Sequence, residues 1–329
     1  MFRYVLVFII ILISFATRAG EGNDWAEVYS QVKENYIAET KISTLATAAL
    51  KGLKEVDKHL RLGDDNTRIT LYYQGKVVKV MRKPQDFDDA IAWGEITAQI
   101  IQKAKDVSPI ADEKSFLVDD ALAKAMLAAL DKDSKVFAGM DEAEGISRRN
   151  HRTFAARLED NGSLYIKIVA FNKQTYEELQ RALEENKTAE RLIIDLRDCS
   201  GGQASAAVKT ADLFLTEGVI ASISGREAWR QTYYNADEDE IWQNKEITLL
   251  VNRQTASAAE ILAAALKEQG RAHLKGEKTF GKGTLQKLIL LPSGGVLAVT
   301  SGVVRTPSGG ELNHNGVVPD EIIEPQNLD

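Results

Sequence analysis

The chain has 329 residues, which at roughly 150 residues per domain leaves room for about two domains. A composition of 44% hydrophobic and 27% charged residues is typical of folded globular proteins and excludes wholesale disorder. The net charge of −7 offers no general attraction to a polyanion, so nucleic acid is not an expected partner. The single cysteine, Cys199, excludes an intrachain disulfide, and no CxxC or HExxH pattern predicts a metal or cofactor.

The N-terminal segment has the layout of a signal peptide. Arg3 precedes an apolar run over residues 4–15, and small residues follow up to Gly20. This run is shorter than the roughly 20 residues that a membrane-spanning helix needs. The pattern predicts a signal peptide over 1–19, cleaved after Ala19, and export of the protein with the periplasm as its destination. An uncleaved N-terminal anchor and release as a secreted protein are the alternatives.

Residues 20–150 are predicted to form a mainly α-helical N-terminal domain. Apolar residues recur at intervals of three to four between Trp25 and Ile37, and residues 45–56 predict a second helix. Alternation over residues 69–83, interrupted by Gln74-Gly75, predicts a small β-hairpin within this domain.

Residues 151–329 alternate between strand and helix patterns, which predicts an α/β unit with partly parallel strands. The apolar strand RLIIDL ends in the turn RDCSGG at residues 197–202. A second strand, ITLLV, leads into TASAAE and a helix that ends at Gly270. The last 50 residues contain four of the six prolines and predict short strands joined by turns.

Ser257 lies at a predicted strand-to-helix transition, three residues before Glu260. A Ser-x-x-Glu pattern is typical of a helix capping box, which assigns the serine a structural role. Free backbone N–H groups at a helix N-terminus also stabilise an oxyanion, which makes Ser257 a candidate nucleophile. A nucleophilic serine needs a base, and neither His273 nor His314 stands in a sequence context typical of a triad histidine.

Lys282 lies between two glycines in GEKTFGKGTLQ, a segment that matches most of a phosphate-binding loop. Gly283 replaces the magnesium-binding Ser or Thr of that loop, and a strand pattern follows where a helix is required, so nucleotide binding is not favoured. In RDCSGG, Gly201 and Gly202 free the backbone to present N–H groups. Asp195 is expected to bind Arg197 or to cap the next helix, rather than to form an acid pair with Asp198.

These segments together resemble the carboxyl-terminal processing proteases, or tail-specific proteases, a peptidase family with a Ser/Lys dyad. In that family the serine lies in an SASxSE-like run, the lysine follows 25 residues later in TFGKG, and a glutamine follows the lysine by four. Ser257, Lys282 and Gln286 occupy these three positions. The DLRxNxGG motif matches residues 195–202 with Cys199 and Ser200 as departures, and TPSG, GxxPD and an LDPHS-like LDKDS are also present.

The resemblance implies a crotonase/Clp-protease-like core of mixed β-sheets and helices, and an exported serine endopeptidase. Ser257 would form an acyl-enzyme with Lys282 as general base and Gln286 orienting the amine. The oxyanion would be held by backbone N–H groups of Ala258 and of Gly201 or Gly202. Because a lysine amine has an ordinary pKa of about 10.4, such a base needs burial to disfavour its charged form.

One departure from the family concerns the PDZ domain that many members insert after the LDPHS-like motif. Only 28 residues, 135–162, occupy that position here, so the PDZ domain is expected to be absent. An adaptor, an activator or the N-terminal helices would then assist capture of the protein or peptide substrate, and relatives suggest a homodimer through those helices. The alternatives to a constitutive protease are a non-catalytic or partner-activated binding or scaffold protein that retains the core, and a hydrolase with a histidine-dependent triad.

Overall fold

The computed structural model describes residues 21–140, 153–227, 231–237 and 240–323. The predicted signal peptide lies outside these residues. Within the described part of the chain, no helix combines the length and the apolar character needed to cross a bilayer.

The N-terminal half is mainly helical, as predicted. Trp25, Val28, Tyr29 and Val32 form the buried face of the first helix, which explains their helical spacing. The predicted second helix is interrupted at Gly52 and becomes two helices. The helices are α1 (Glu21–Asn35), α2 (Ile42–Lys51), α3 (Leu53–Val56), α4 (Ala90–Val107), α5 (Pro109–Glu113) and α6 (Val118–Ala128).

The predicted hairpin belongs to a small antiparallel sheet of three strands, β1 (Leu60–Asp64), β2 (Arg68–Tyr73) and β3 (Lys76–Arg82). Gln74 and Gly75 at the β2–β3 turn have positive φ angles of 50° and 77°, the conformation of a tight hairpin turn. β1 was not predicted, because the short segment LRLGD carries a glycine and two charged residues in place of a clear alternation.

A mostly parallel sheet of six strands forms the centre of the second half. Its order is β14-β11-β10-β7-β6-β5, and the edge strand β5 runs antiparallel to β6. Helices α7 (Thr175–Glu185), α8 (Ala204–Asp212) and α9 (Ala258–Glu268) share one hydrophobic core with this sheet. The strands are β5 (Phe154–Leu158), β6 (Ser163–Ile168), β7 (Arg191–Asp195), β10 (Glu246–Val251), β11 (His273–Gly276) and β14 (Glu321–Ile322).

A second, antiparallel sheet of five strands connects the two halves of the chain. It contains β4 (Lys135–Phe137), β8 (Val219–Ser224), β9 (Gln231–Asn235), β12 (Thr284–Leu290) and β13 (Val296–Arg305). The long strand β13 pairs with β12, β8 and β4. The predicted class, a mixed α/β protein with a helical N-terminal region that carries a small β-sheet, is confirmed.

β13 contributes to two hydrophobic cores. Leu297 and Val299 pack with the N-terminal helices, whereas Val304, nearer the end of the strand, packs with the six-stranded sheet. The strand passes from one core to the other at a β-bulge, where Ser301 is an extra residue between Thr300 and Gly302 in the pairing with β12. The helical half and the second half therefore share this strand.

Candidate active site

Ser257 lies at the turn between a buried strand and a buried helix. It occupies the N-cap position of α9, with φ of 56° and ψ of −118°. Non-glycine residues adopt such a conformation at an energetic cost, and residues of this kind cluster at functional sites. Ala256 and Ala258 on either side are buried, whereas Ser257 keeps contact with solvent. The turn therefore presents the serine at the N-terminal end of a buried helix.

The RDCSGG turn lies directly against the loop that carries Ser257. The Ala256 N–H donates to the Cys199 carbonyl at 2.9 Å. The Thr255 hydroxyl donates to the Leu196 carbonyl, also at 2.9 Å. The structure thus brings together two motifs that are about 60 residues apart in the chain.

Gly201 adjoins Ser257 and Ala258. A β-carbon at Gly201 would lie 2.8 Å from Ser257 Cβ and 3.0 Å from Ala258 N, and its φ is +105°. Only glycine satisfies both the available space and this backbone conformation. Gly202, by contrast, pairs with Phe171 in an isolated bridge. Two of the three predicted oxyanion-hole residues, Ala258 and Gly201, are therefore neighbours beside the serine.

The buried carboxylate of Glu260 joins the serine turn to the lysine loop. Its Oε2 accepts hydrogen bonds from the Ser257 N–H at 2.8 Å and from the Lys282 N–H at 2.9 Å. Its Oε1 accepts from the Gly281 N–H at 2.7 Å and from the Thr279 hydroxyl. Glu260 itself has no exposed surface. One carboxylate therefore fixes the main chain at both members of the predicted dyad.

Sequence reasoning assigned Glu260 only to the helix cap. That interpretation accounts for the bond between its carboxylate and the Ser257 N–H. The partners at 279, 281 and 282 come from a distant loop, so no local spacing pointed to them. The sequence did offer one signal, because Glu260 is an acidic residue within an otherwise apolar run. A carboxylate buried in such a run requires several hydrogen-bond donors.

Lys282 is half-buried in the turn that leads into β12. Burial lowers the pKa of its amine from the ordinary lysine value, the nearby Lys135 lowers it further, and Asp133 acts in the opposite direction. The pKa shift therefore has the direction that a lysine general base requires. A lysine base was expected to be largely buried, and the structure buries Lys282 only in part.

The glycine after Lys282 is explained by packing within the protein. A β-carbon at Gly283 would lie 2.3 Å from the Asn313 N, and the Gly283 N–H donates to Asn313 Oδ1 at 3.3 Å. The main chain at Asn313 therefore packs directly against Gly283 and leaves no space for a side chain there. A strand follows at Thr284, as expected from the argument against a phosphate-binding loop.

Gln286 lies on β12 and is half-buried. Its amide nitrogen donates to the Thr284 hydroxyl at 3.1 Å. Because β12 begins at Thr284, Lys282 precedes the strand. The alternation that places strand residues four apart on one face therefore does not extend to Lys282 and Gln286. The predicted contact between the Gln286 amide and the Lys282 amine stays a prediction.

Asp195 forms a buried ionic cluster beside the RDCSGG turn. It accepts from the Arg197 guanidinium at 2.8 and 3.0 Å and from the Tyr165 hydroxyl at 2.5 Å, and Lys167 lies 3.1 Å away. Burial alone would raise the pKa of Asp195, but the hydrogen bonds from Arg197 and Tyr165 and the charge of Lys167 hold it below its ordinary value. The expected Asp195–Arg197 pair is confirmed, and Lys167 is a second cation in contact with Asp195.

The two histidines considered as alternative bases have other surroundings. His273 lies on β11, 3.8 Å from Asp320 and 3.7 Å from Glu321. His314 is exposed, and its backbone N–H donates to the Gly281 carbonyl at 2.9 Å. The acidic neighbours of His273 and the main-chain contact of His314 favour structural roles for both.

Comparison with known sequences places this site in a family. Residues 162–323 match the profile of peptidase family S41. The carboxyl-terminal-processing protease of Synechocystis sp. is 37% identical over 176 residues, which are 52% of this chain and 41% of that protein. The carboxy-terminal-processing protease of Bartonella bacilliformis is 33% identical over 166 residues, 49% of this chain and 38% of that protein. The chain thus spans about two fifths of the length of the curated relatives it matches.

Solved structures show the same fold. The photosystem II D1 C-terminal processing protease superposes with a TM-score of 0.56 at 19% identity, with 95% of each chain covered. A lipoprotein from Streptococcus agalactiae gives a TM-score of 0.55 at 16% identity, covering 89% of this chain and 95% of that one. Residues 162–323, which contain Ser257, Lys282 and Gln286, therefore form a peptidase family S41 domain, as the motifs had indicated.

Proposed function

We propose that this protein is an exported serine endopeptidase that hydrolyses peptide bonds of protein substrates through an acyl-enzyme on Ser257. The observation that carries the proposal is the Glu260 carboxylate, which binds the main-chain N–H groups of Ser257 and Lys282 through one oxygen atom. Family membership and the lowered pKa of Lys282 support the same conclusion.

The reaction would begin with proton transfer from the Ser257 hydroxyl to the neutral amine of Lys282. The serine oxygen forms a bond to the substrate carbonyl carbon, and the carbonyl π electrons move to the oxygen to give an oxyanion. The Lys282 ammonium then protonates the departing amine as the peptide C–N bond breaks. A water molecule, deprotonated by Lys282, then attacks the acyl-enzyme carbonyl carbon. The bond from that carbon to the Ser257 oxygen breaks, the Lys282 ammonium returns its proton to this oxygen, and the acid product leaves.

The oxyanion would be stabilised by backbone N–H groups at the start of α9. Ala258 follows Ser257 directly and lies at the N-terminal end of the helix, where the dipole favours negative charge. Gly201 and Gly202 are the alternatives for the second donor. Gly201 is the one that lies against Ser257 and Ala258, which favours its N–H. Gln286 would orient the Lys282 amine from β12.

The substrate class follows from the relatives' names rather than from a bound ligand. The similar proteins are carboxyl-terminal-processing proteases, and we propose cleavage near the C-terminus of an exported protein as the activity to test first. The absence of a PDZ domain stays a prediction, because residues 141–152 lie outside the described residues.

The test compares the mature protein with Ser257→Ala and Lys282→Ala in cleavage of casein, followed by mass spectrometry. We expect the unmodified protein alone to produce fragments, with each variant reduced by at least about 1,000-fold. Covalent labelling of Ser257 by a fluorophosphonate separates an inactive scaffold from an enzyme restricted to one client. Labelling without casein cleavage indicates a partner-activated or client-restricted enzyme. Neither labelling nor cleavage would reject the enzyme and leave the binding or scaffold protein.

Export rests on the apolar run at residues 4–15 and the small residues that follow it. Cell fractionation and N-terminal sequencing of the purified protein test this part separately. A periplasmic protein that begins at Gly20 is the expected result. A cytoplasmic protein that retains Met1 would overturn it.

A further inference from the structure

The three-stranded sheet of the N-terminal half has two faces with different surroundings. Leu60, Ile69 and Leu71 on one face are buried in the core formed with the N-terminal helices. Because side chains alternate between the two faces along each strand, the neighbouring positions point away from that core. They form three cross-strand rows: Arg61 with Tyr72 and Val77, Gly63 with Thr70 and Val80, and Arg68 with Arg82. The residues of these rows constitute the outer face of the sheet.

The outer face has the composition of a binding surface. Val77 and Val80 are 56% and 47% exposed, and all three arginines are exposed. The Tyr72 ring lies over Gly63, since a β-carbon there would lie 2.8 Å from Tyr72 Cε2. None of the rows contains an acidic residue or a lysine. Arginine and tyrosine are enriched in interfaces, whereas lysine, aspartate and glutamate are depleted there.

Arg68 and Arg82 lie directly opposite each other on β2 and β3. Like charges in this relationship destabilise a sheet. The Asp65 carboxylate lies 3.7 Å from the Arg68 guanidinium, but it also accepts from the Thr67 and Arg68 N–H groups and holds the turn before β2. Within the described part of the chain, Arg82 has no ion-pair partner. The pair is unfavourable for folding and favourable for an anion that contacts both guanidinium groups.

Positive charge is concentrated in the segment that forms this sheet. Seven lysines and arginines against two aspartates give residues 58–83 a net charge of +5, although the chain as a whole carries −7. The rest of the chain therefore carries −12. Both aspartates have cationic partners, Asp64 in Lys83 and Asp65 in Arg68. Because salt screens charges beyond about 8 to 10 Å, an anionic surface in contact with the outer face would be attracted in spite of the net charge of the protein.

The hydrogen-bonding groups of the outer face distinguish between possible partners. Its side chains are donors, and only the hydroxyls of Thr70 and Tyr72 can also accept. A polypeptide carries N–H donors that need acceptors when they are buried, whereas lipid phosphates are acceptors that match the guanidinium fork. Arg61 lies at the level of Tyr72, four residues along β2 from Arg68, a separation of about 13 Å. Cations at both ends of the sheet suit a plane of phosphates.

We propose that the outer face binds the anionic phospholipid surface of a membrane. Arg61, Arg68 and Arg82 contact lipid phosphates, and Val77 and Val80 enter the headgroup layer. This inference does not depend on the proposed peptidase activity. It would hold the protein at a bilayer after loss of the predicted signal peptide.

The experiment uses the mature chain, residues 20–329, which contains every described residue and lacks the apolar run at 4–15. Co-sedimentation is measured with vesicles of phosphatidylethanolamine and phosphatidylglycerol, and with vesicles of phosphatidylethanolamine and phosphatidylcholine. The test variant is Arg61→Gln/Arg82→Gln. The matched control is Arg181→Gln/Arg191→Gln, which removes the same charge at two exposed arginines of the second half. Thermal melts check the fold, and Arg61→Gln alone replaces the test variant if it melts early.

We expect binding to the phosphatidylglycerol vesicles only, and a decrease in that binding as salt is added. Each arginine near an anionic surface contributes about 1 kcal/mol, so the test variant should bind at least about 10-fold more weakly. The control should bind as the unmodified protein does. Absence of binding to phosphatidylglycerol vesicles, or an equal loss in both double variants, would overturn the proposal. A salt-sensitive dimer without vesicle binding would assign the face to a second copy and overturn it as well.

A second readout locates the contact on the surface. Val77→Cys and, as a control, Thr188→Cys at an exposed position of the second half are labelled with a polarity-sensitive nitrobenzoxadiazole dye, while the native Cys199 is buried. We expect phosphatidylglycerol vesicles to shift the emission of the dye at position 77 to shorter wavelength and to leave the dye at 188 unchanged. A shift at 188 and none at 77 would show that another surface meets the membrane.

Discussion

The backbone N–H groups of Ser257 and Lys282 donate to the same atom, Oε2 of Glu260. The two residues are 25 positions apart in the chain, and each lies in a turn that precedes a regular element, α9 or β12. A single buried acceptor converts two independent turns into one unit. The separation of the dyad in space is thereby fixed by hydrogen bonds to main-chain atoms.

Glu260→Gln tests this arrangement. The amide keeps the shape of the carboxylate but replaces one acceptor oxygen with a donor that faces N–H groups, so a buried charge-assisted network is lost. We expect a decrease in the free energy of unfolding of about 2 to 4 kcal/mol, and a decrease in casein cleavage of at least about 100-fold from misplacement of the dyad. Urea unfolding and the casein assay measure the two effects. A variant as stable and as active as the unmodified protein would contradict the role of Glu260.

Gly201→Ala tests the contact between the RDCSGG turn and Ser257. The added methyl group would lie 2.8 Å from both the Ser257 Cβ and the Ala256 oxygen. Gly162→Ala is the matched control, since Gly162 also has a positive φ, +79°, but has open space around it. We expect Gly201→Ala to lower stability by about 1 to 3 kcal/mol more than the control does and to reduce fluorophosphonate labelling of Ser257. Equal behaviour of the two alanine variants would show that the contact is unimportant.

Lys282→Met should stabilise the protein in acid more than in alkali. Lys282 has a lowered pKa in the folded state, so the unfolded chain binds more protons in the window between the folded and the ordinary lysine pKa, and stability rises with pH there. Below that window the penalty for burying the charged amine is fully present. The gain in Tm of Lys282→Met should therefore shrink as the pH rises. Lys278→Met, at an exposed lysine of the same loop, should show no such trend in thermal melts across the same buffers.

Asp195→Asn should be strongly destabilising. The substitution leaves the cations of Arg197 and Lys167 beside a neutral, buried side chain, and breaking such a pair typically costs about 3 to 5 kcal/mol. Because the pKa of Asp195 is held below its ordinary value, this contribution is present above pH 4 and is lost only as the pH falls through the folded-state pKa. Urea denaturation at pH 7 should show the loss, and Asp160→Asn at an exposed loop position should show none. A change of less than about 1 kcal/mol in Asp195→Asn would argue against a tightly coupled cluster.

Cys199 should report opening of the RDCSGG turn. Its thiol is fully buried, and burial raises its pKa to about 11, so the reactive thiolate is scarce near neutral pH. We expect very slow reaction with a disulfide reagent such as DTNB in the folded protein and rapid reaction in 8 M urea. Gly201→Ala should accelerate the reaction without denaturant. Rapid reaction of the unmodified protein would indicate that the turn opens readily.

The sequence was informative where a pattern is local or where a motif has fixed spacing. Ser257, Lys282 and Gln286 were selected by resemblance to a family whose motifs have this spacing, and the alternation of strands and helices predicted the mixed α/β class. The hairpin followed from the alternation on either side of Gln74-Gly75, and Gly75 readily adopts the positive φ that the turn requires. These features depend on a few neighbouring residues.

The features that were not predicted depend on distant contacts. Glu260 gains its partners from a loop about 20 residues later, and Lys167 joins Asp195 through adjacent parallel strands. Thr300 showed no signal at all in the sequence, since a threonine in a strand is ordinary. Its importance comes only from the segments that meet there, because its carbonyl accepts from the Ile37 N–H and its own N–H donates to the Ser134 hydroxyl oxygen.

The sharing of β13 between two hydrophobic cores has a consequence for how the protein folds. A fragment that lacked the N-terminal helices would expose Leu297 and Val299 on one end of the strand while Val304 stayed buried at the other. Loss of packing in either core therefore disturbs the other, because both contain side chains of one strand whose backbone continues through the bulge at Ser301. Unfolding in denaturant should proceed as a single cooperative transition, with the helices and the peptidase core melting together.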